Sequence, residues 1–120
     1  LDEVQLSALL HKVDTLDPLA VPALTAVKMG TEYGAQALSL KDVGQLVPGQ
    51  KADIALFSMH GAEWTPCYNP VSLLAYSGKS SSVDTVIVNG KILMENRELK
   101  TLDEERILYE AQRTADRLTK

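Results

Sequence analysis

Few side chains in this 120-residue sequence have the type and spacing to do chemistry. The two histidines, His11 and His60, have no second histidine at i+2 or i+4, and the single cysteine, Cys67, has no partner at C-x-x-C spacing. Metal sites leave such spacings behind, so a self-contained zinc centre is not expected. His11 reads as a cationic group near a helix C-terminus and His60 as a loop residue. A thiol nucleophile at Cys67 would need an activating histidine and an orienting third group, and only His60 is near it in sequence. Gly78-Lys79-Ser80 resembles the end of a phosphate loop, but the pattern requires glycine where Leu73 stands, so a flexible linker is expected over Gly78–Ser82. Trp64, Tyr68 and Tyr76 surround an irregular stretch, where they could line a pocket or an interface; packing of a long loop onto a sheet is the more common role of such residues.

The elements around these residues follow from periodicity. Leu1, Val4, Leu6, Leu9 and Leu10 have helical spacing, with Asp2 and Glu3 in the first turn and His11 and Lys12 in the last, giving a helix over 1–12. The Asp17-Pro18 turn precedes a second helix over 22–29, and Thr31 is the expected N-cap of a third over 32–40. Beyond Gly44 and Pro48-Gly49 the register changes, and residues 52–58 read as a strand. Residues 71–76 fit a helix or a strand. Residues 83–88 and 91–95 flank Asn89-Gly90, a strong hairpin signal, and a second turn lies near Asn96-Arg97. Thr101 to Glu104 fits a capping box for a last helix, whose apolar stripe is Ile107, Leu108, Ala111, Ala115 and Leu118. The residues thus describe an α+β domain without a catalytic constellation of its own.

Composition narrows the function classes. Twelve Lys and Arg against sixteen Asp and Glu give a formal charge of −4, so no nucleic acid partner is expected. One cysteine and no secretory pattern fit a cytoplasmic setting. The apolar runs are too short to span a bilayer, so no membrane association is expected. The length is one domain's worth, well short of the roughly 250 residues of a catalytic barrel. The sequence opens on Leu1 with helical spacing already under way, and is expected to be a piece of a longer chain.

Residues Val43 to Phe57 (VGQLVPGQKADIALF) resemble the G-x-L-x-x-G-x-x-A-D-hydrophobic signature that follows the catalytic barrel in the amidohydrolase superfamily. Met29 to Leu38 is similar to that family's A-T-x-x-G-A-x-A-L helix, with Gly30 replacing the usual alanine. Val83 to Lys91 is similar to its V-x-x-V-x-V-x-G-K/R hairpin. The likeness is greatest to the chlorohydrolase and aminohydrolase branch, which includes methylthioadenosine/S-adenosylhomocysteine deaminases and triazine hydrolases.

The resemblance implies a C-terminal portion in three parts: helices over 1–42 that pack on the end of a (β/α)8 barrel, a β-rich segment over 43–101 with the hairpin 83–95, and a closing helix over 102–120. The β-rich segment would form a small sandwich with the protein's own N-terminal strands. The parent would be a metal-dependent hydrolase or deaminase that uses a divalent metal, zinc or iron, to activate water against a heterocyclic small-molecule substrate. The family's His-x-His pair, later histidines, aspartate and glutamate match no position here and would lie upstream of Leu1. No catalytic, cofactor-binding or metal residue is therefore assigned to this chain, and no cofactor is expected to bind it alone.

Six residues carry the structural motif the resemblance implies: Gly44, Gly49, Lys51, Asp53, Asn89 and Gly90. Gly44, Gly49 and Gly90 would serve turns, Asp53 would bond backbone near Pro48-Gly49, and Leu56, Val86 and Val88 would fill the sandwich. The expected partners are the remainder of the same chain and further copies in a homo-oligomer. An unpaired sheet edge would leave the piece prone to strand exchange. The alternative reading is a free-standing interaction or scaffold domain with no catalytic activity.

Overall fold

The computed structural model describes residues 1–119 and comprises a helical part, a sheet and a last helix, with one helix of the helical part inserted between the first two strands. The helical part is built by α1 (Asp2–Thr15), α2 (Ala23–Met29), α3 (Glu32–Ala37) and α4 (Pro70–Tyr76). Where α1, α2 and α4 pack together, the buried residues are Ala8, Ala26 and Ala75, whose small side chains let the helix backbones approach closely. The Gln5 amide donates to the Tyr76 carbonyl at 2.6 Å, fixing α1 against the end of α4.

Helix α1 runs one turn beyond the expected stop at Lys12 and ends on Leu16 in the left-handed region. The Lys12 ammonium donates instead to the Ala20 and Val21 carbonyls, closing the α1–α2 loop. Helix α3 stops at Ala37 rather than Leu40, because Ser39 turns left-handed and the Leu40 N–H closes back onto Ala35. Thr31 precedes α3 without capping it, and its hydroxyl donates to the Val27 carbonyl of the previous helix. Residues 70–76 are helical because Asn69 caps the Ser72 N–H and Pro70 occupies the first turn, where its missing donor costs nothing.

The sheet has four antiparallel strands in the order β1 (Ile54–Phe57), β2 (Val83–Val88), β3 (Lys91–Glu95) and β4 (Glu98–Leu99). Asn89 and Gly90 have φ of 49° and 77°, the paired left-handed conformation of a type I′ turn, and Asn96 and Arg97 repeat it at 50° and 65°. Each hairpin is thus set by its two central residues. Helix α5 (Glu104–Leu118) follows, and its cap is Asp103, which accepts from the Arg106 N–H, in place of the Thr101 capping box. Lys120, the last residue of the expected closing helix, lies outside the described residues.

One residue joins sheet to helices. Trp64 is 2% exposed and lies between Phe57 of β1, ring centroids 6.3 Å apart, and Gly78 after α4. Its indole N–H donates to the Ser82 hydroxyl at 3.1 Å, and that hydroxyl donates to the Glu63 carboxylate at 2.9 Å. Residues 78–82 are therefore not a flexible linker: 80–82 form a helical turn, and Ser82 is buried. The Cα radius of gyration is 17.7 Å, against about 14 Å for a compact domain of this length. Much apolar surface faces outward as a result.

Candidate functional site

The six motif residues occupy the junction between the end of α3 and the sheet. Gly44 has φ +93°, and an added Cβ would stand 2.8 Å from Ala35 Cβ and 3.0 Å from the Thr31 carbonyl oxygen. Only glycine fits there, both by conformation and by space. Gly49 has φ +92° with open space around it. Between them the chain loops out and returns, closed at its base by the Lys51 N–H donating to the Asp42 carbonyl at 2.8 Å and by an ion pair of 2.9 Å between the same two side chains. The ammonium beside Asp42 holds that carboxyl below its ordinary value, and the carboxylate in turn raises Lys51.

Asp53 then reaches across the sheet. Its carboxylate accepts from the Asn89 N–H at 2.6 Å, while the Gly90 N–H donates to the Ala52 carbonyl at 3.0 Å. The aspartate therefore bonds the 89–90 turn, not the backbone near Pro48-Gly49, and it braces the β2–β3 hairpin from the strand beside it. Asp53, Asn89 and Gly90 meet at the start of β1 and the end of β2, while Lys51 is paired with Asp42 at the base of the loop that Gly44 and Gly49 shape.

This junction is built for positioning. Beside it an open hollow of ≈ 430 Å³ is lined by residues including Glu32, Gln36, Ser39, Lys41, Gln45 and Gln50, with no thiol or imidazole among them. His11, His60 and Cys67 are all exposed and are not brought together into one group. Among the described residues no three His, Cys, Asp or Glu side chains are grouped as a metal would require, so the residues present do not fit a metal centre. Trp64, Tyr68 and Tyr76 do not pack as a set: Trp64 is buried, Tyr76 is half-buried and Tyr68 stands in solvent.

The apolar residues assigned to a sandwich interior are uncovered. The register pairs Leu56 with Thr85, so Leu56, 50% exposed, lies on the face opposite to half-buried Val86 and to Val88, 44% exposed, and the three do not fill one interior as expected. One sheet is present among the described residues, and the outer edge of β1 has no neighbour there. The Glu63–Ser82–Trp64 relay was not evident in the sequence; a polar residue at 82 directly before an apolar strand was its only signal.

The amidohydrolase family profile matches residues 1–93. The chain is 49% identical over 118 residues to a 5-methylthioadenosine/S-adenosylhomocysteine deaminase of Pelotomaculum thermopropionicum, covering 98% of this chain and 27% of that protein. It is 44% identical to a 5'-deoxyadenosine deaminase of Methanosarcina barkeri, with 98% and 27% covered. Among solved structures it is similar to a zinc-bound adenosine deaminase from Xanthomonas campestris, at a TM-score of 0.93 and 28% identity, covering 98% of this chain and 27% of that one. It is also similar to a zinc-complexed atrazine chlorohydrolase from Arthrobacter aurescens, at a TM-score of 0.80 and 31% identity, covering 91% and 24%. The chain thus spans about a quarter of the length of the relatives it matches. By its profile match over most of its length, the chain belongs to the amidohydrolase family.

Proposed function

We propose that these residues are the C-terminal structural portion of a metal-dependent hydrolase that deaminates a heterocyclic, purine-nucleoside-type substrate. In this reading the catalytic groups and the metal, zinc by analogy with the relatives, belong to a barrel elsewhere in the full-length protein. Helices α1 to α3 cap the end of that barrel. The sheet is completed into a sandwich by the protein's own N-terminal strands, which pair with β1 and cover one apolar face of the sheet. The setting is cytoplasmic.

A single observation carries the reading. Nearly the whole chain aligns at 49% identity with a deaminase while covering 27% of it, and the described residues hold no metal-type donor cluster. Chemistry and metal binding are thus assigned to the rest of the protein, and the role of this chain is packing. The exposed apolar surface supports that role, since such area is normally covered by a partner. Elemental analysis tests it: the purified full-length protein should carry a stoichiometric divalent metal, and the 120-residue chain should carry none after the same purification. A full-length protein free of metal after purification without chelators, and not activated by added zinc or iron, would leave the interaction-domain reading standing instead.

A further inference from the structure

We infer that the Asn89-Gly90 turn is a latent self-modification site, which its bonds to Asp53 and Ala52 hold unreactive. An asparagine followed by glycine can lose its side-chain amide without an enzyme, because the next residue has no Cβ to obstruct the attack. The Gly90 backbone nitrogen gives up its proton and bonds to the Asn89 Cγ. The bond from Cγ to the side-chain nitrogen breaks, and that nitrogen takes up a proton and leaves as ammonia. The five-membered succinimide left behind opens with one water to aspartate or isoaspartate. The reaction needs water and no other reagent.

The fold keeps the two reacting groups apart in two ways. The Gly90 N–H, whose proton must leave, donates to the Ala52 carbonyl at 3.0 Å. Ring closure also requires the Asn89 Cβ and the Gly90 nitrogen to eclipse about the Asn89 Cα–C bond, whereas a type I′ turn keeps them nearly opposite. Rotating that bond pulls the Gly90 N–H off Ala52. On the other side of the turn the Asn89 N–H is anchored to the Asp53 carboxylate at 2.6 Å. Asp53 is thus a positioning residue that suppresses a reaction on the neighbouring strand. Asn96 offers an internal comparison: it has φ 50° in the same kind of turn, but Arg97 follows it, and that side chain obstructs the attack. Reaction at Asn89 is one-way. It adds a carboxylate to the turn that Asp53 braces, and isoaspartate also lengthens the backbone by a methylene, so the hairpin cannot close as before. Both bonds lie within this chain, so the inference does not rest on the hydrolase reading.

Full-length parent, D53A and S82A proteins, held folded at mildly alkaline pH and then digested with trypsin, test it. Cleavage after Lys79 and Lys91 isolates residues 80–91, in which Asn89 is the only asparagine, and the amide-to-acid mass gain of that peptide is followed over time. The folded parent should gain slowly, and the parent unfolded in urea much faster. Loss of the Asp53 bond should make folded D53A roughly fivefold faster than the folded parent, which is about 1 kcal/mol at 1.4 kcal/mol per tenfold. S82A loosens the fold away from the turn and should keep the parent rate, and Asn96, on the peptide 92–97, should stay unchanged in all three folded proteins. A folded parent that reacts as fast as the unfolded chain, a D53A no faster than the parent, an S82A as fast as D53A, or a gain at Asn96 equal to that at Asn89 would each overturn the assignment.

Discussion

The carboxylate of Asp53 accepts the backbone N–H of Asn89 at 2.6 Å, joining residues 36 apart in the chain. This bond holds the β2–β3 turn against the start of β1, so the aspartate of the family signature acts as an internal brace. Replacing it with alanine leaves the turn donor to water and should cost on the order of 1 kcal/mol, below the range for a buried hydrogen bond to a charged group because the site is exposed. Urea denaturation of D53A should show a lower midpoint with an unchanged slope; an unchanged midpoint would remove the bracing role.

Gly44 and Gly49 offer a controlled comparison, since both have φ near +92° but only Gly44 is crowded. An alanine at either meets the left-handed penalty of about 1 kcal/mol. At Gly44 it also meets Ala35 and the Thr31 carbonyl, so G44A should lower the thermal midpoint by at least twice as much as G49A. Equal losses would show that α3 gives way to the added methyl.

The relay at Trp64 gives a spectroscopic handle, because Trp64 is the only tryptophan and is nearly fully buried. S82A would leave the buried indole N–H unpaired, at a cost of about 1–3 kcal/mol. Its fluorescence should shift to longer wavelength at lower denaturant than the parent's, and coincident curves would contradict the bond's contribution.

Acid should loosen both carboxylate contacts. The Lys51 ammonium holds Asp42 below its ordinary value, and Glu63 is held down by its own backbone N–H and then by the Ser82 hydroxyl. A carboxylate whose folded value is depressed stabilises the fold above its unfolded value, and that contribution is lost as pH falls through the folded one. The thermal midpoint should therefore fall on acidification below about pH 4, and D42N should show a shallower fall. Parallel profiles for the two proteins would exclude the pair as a contributor.

Local chemistry made much of the fold legible. Asn89-Gly90 specifies its hairpin because both residues tolerate positive φ, and Asn69-Pro70 settles the choice between helix and strand for residues 71–76, which periodicity alone left open. What escaped depended on distant partners. Asp53 was expected to bond the nearby Pro48-Gly49 backbone, but the folded sheet brings Asn89 closer. Ser82 looked like part of a linker because its value lies in meeting Trp64, eighteen residues away. The end of α3 and the cap of α5 were misjudged by a few residues, where several polar side chains compete for the same backbone groups.

Ammonia release from a 5'-substituted adenosine, measured side by side for the full-length protein and for the 120-residue chain, tests the central claim most directly. The full-length protein should deaminate the nucleoside and lose that activity on metal removal, while the 120-residue chain should release no ammonia at any concentration. Deamination by the 120-residue chain alone would contradict the assignment of the chemistry to the rest of the protein, and the absence of any deaminase activity in metal-loaded full-length protein across purine and triazine substrates would contradict the hydrolase reading itself.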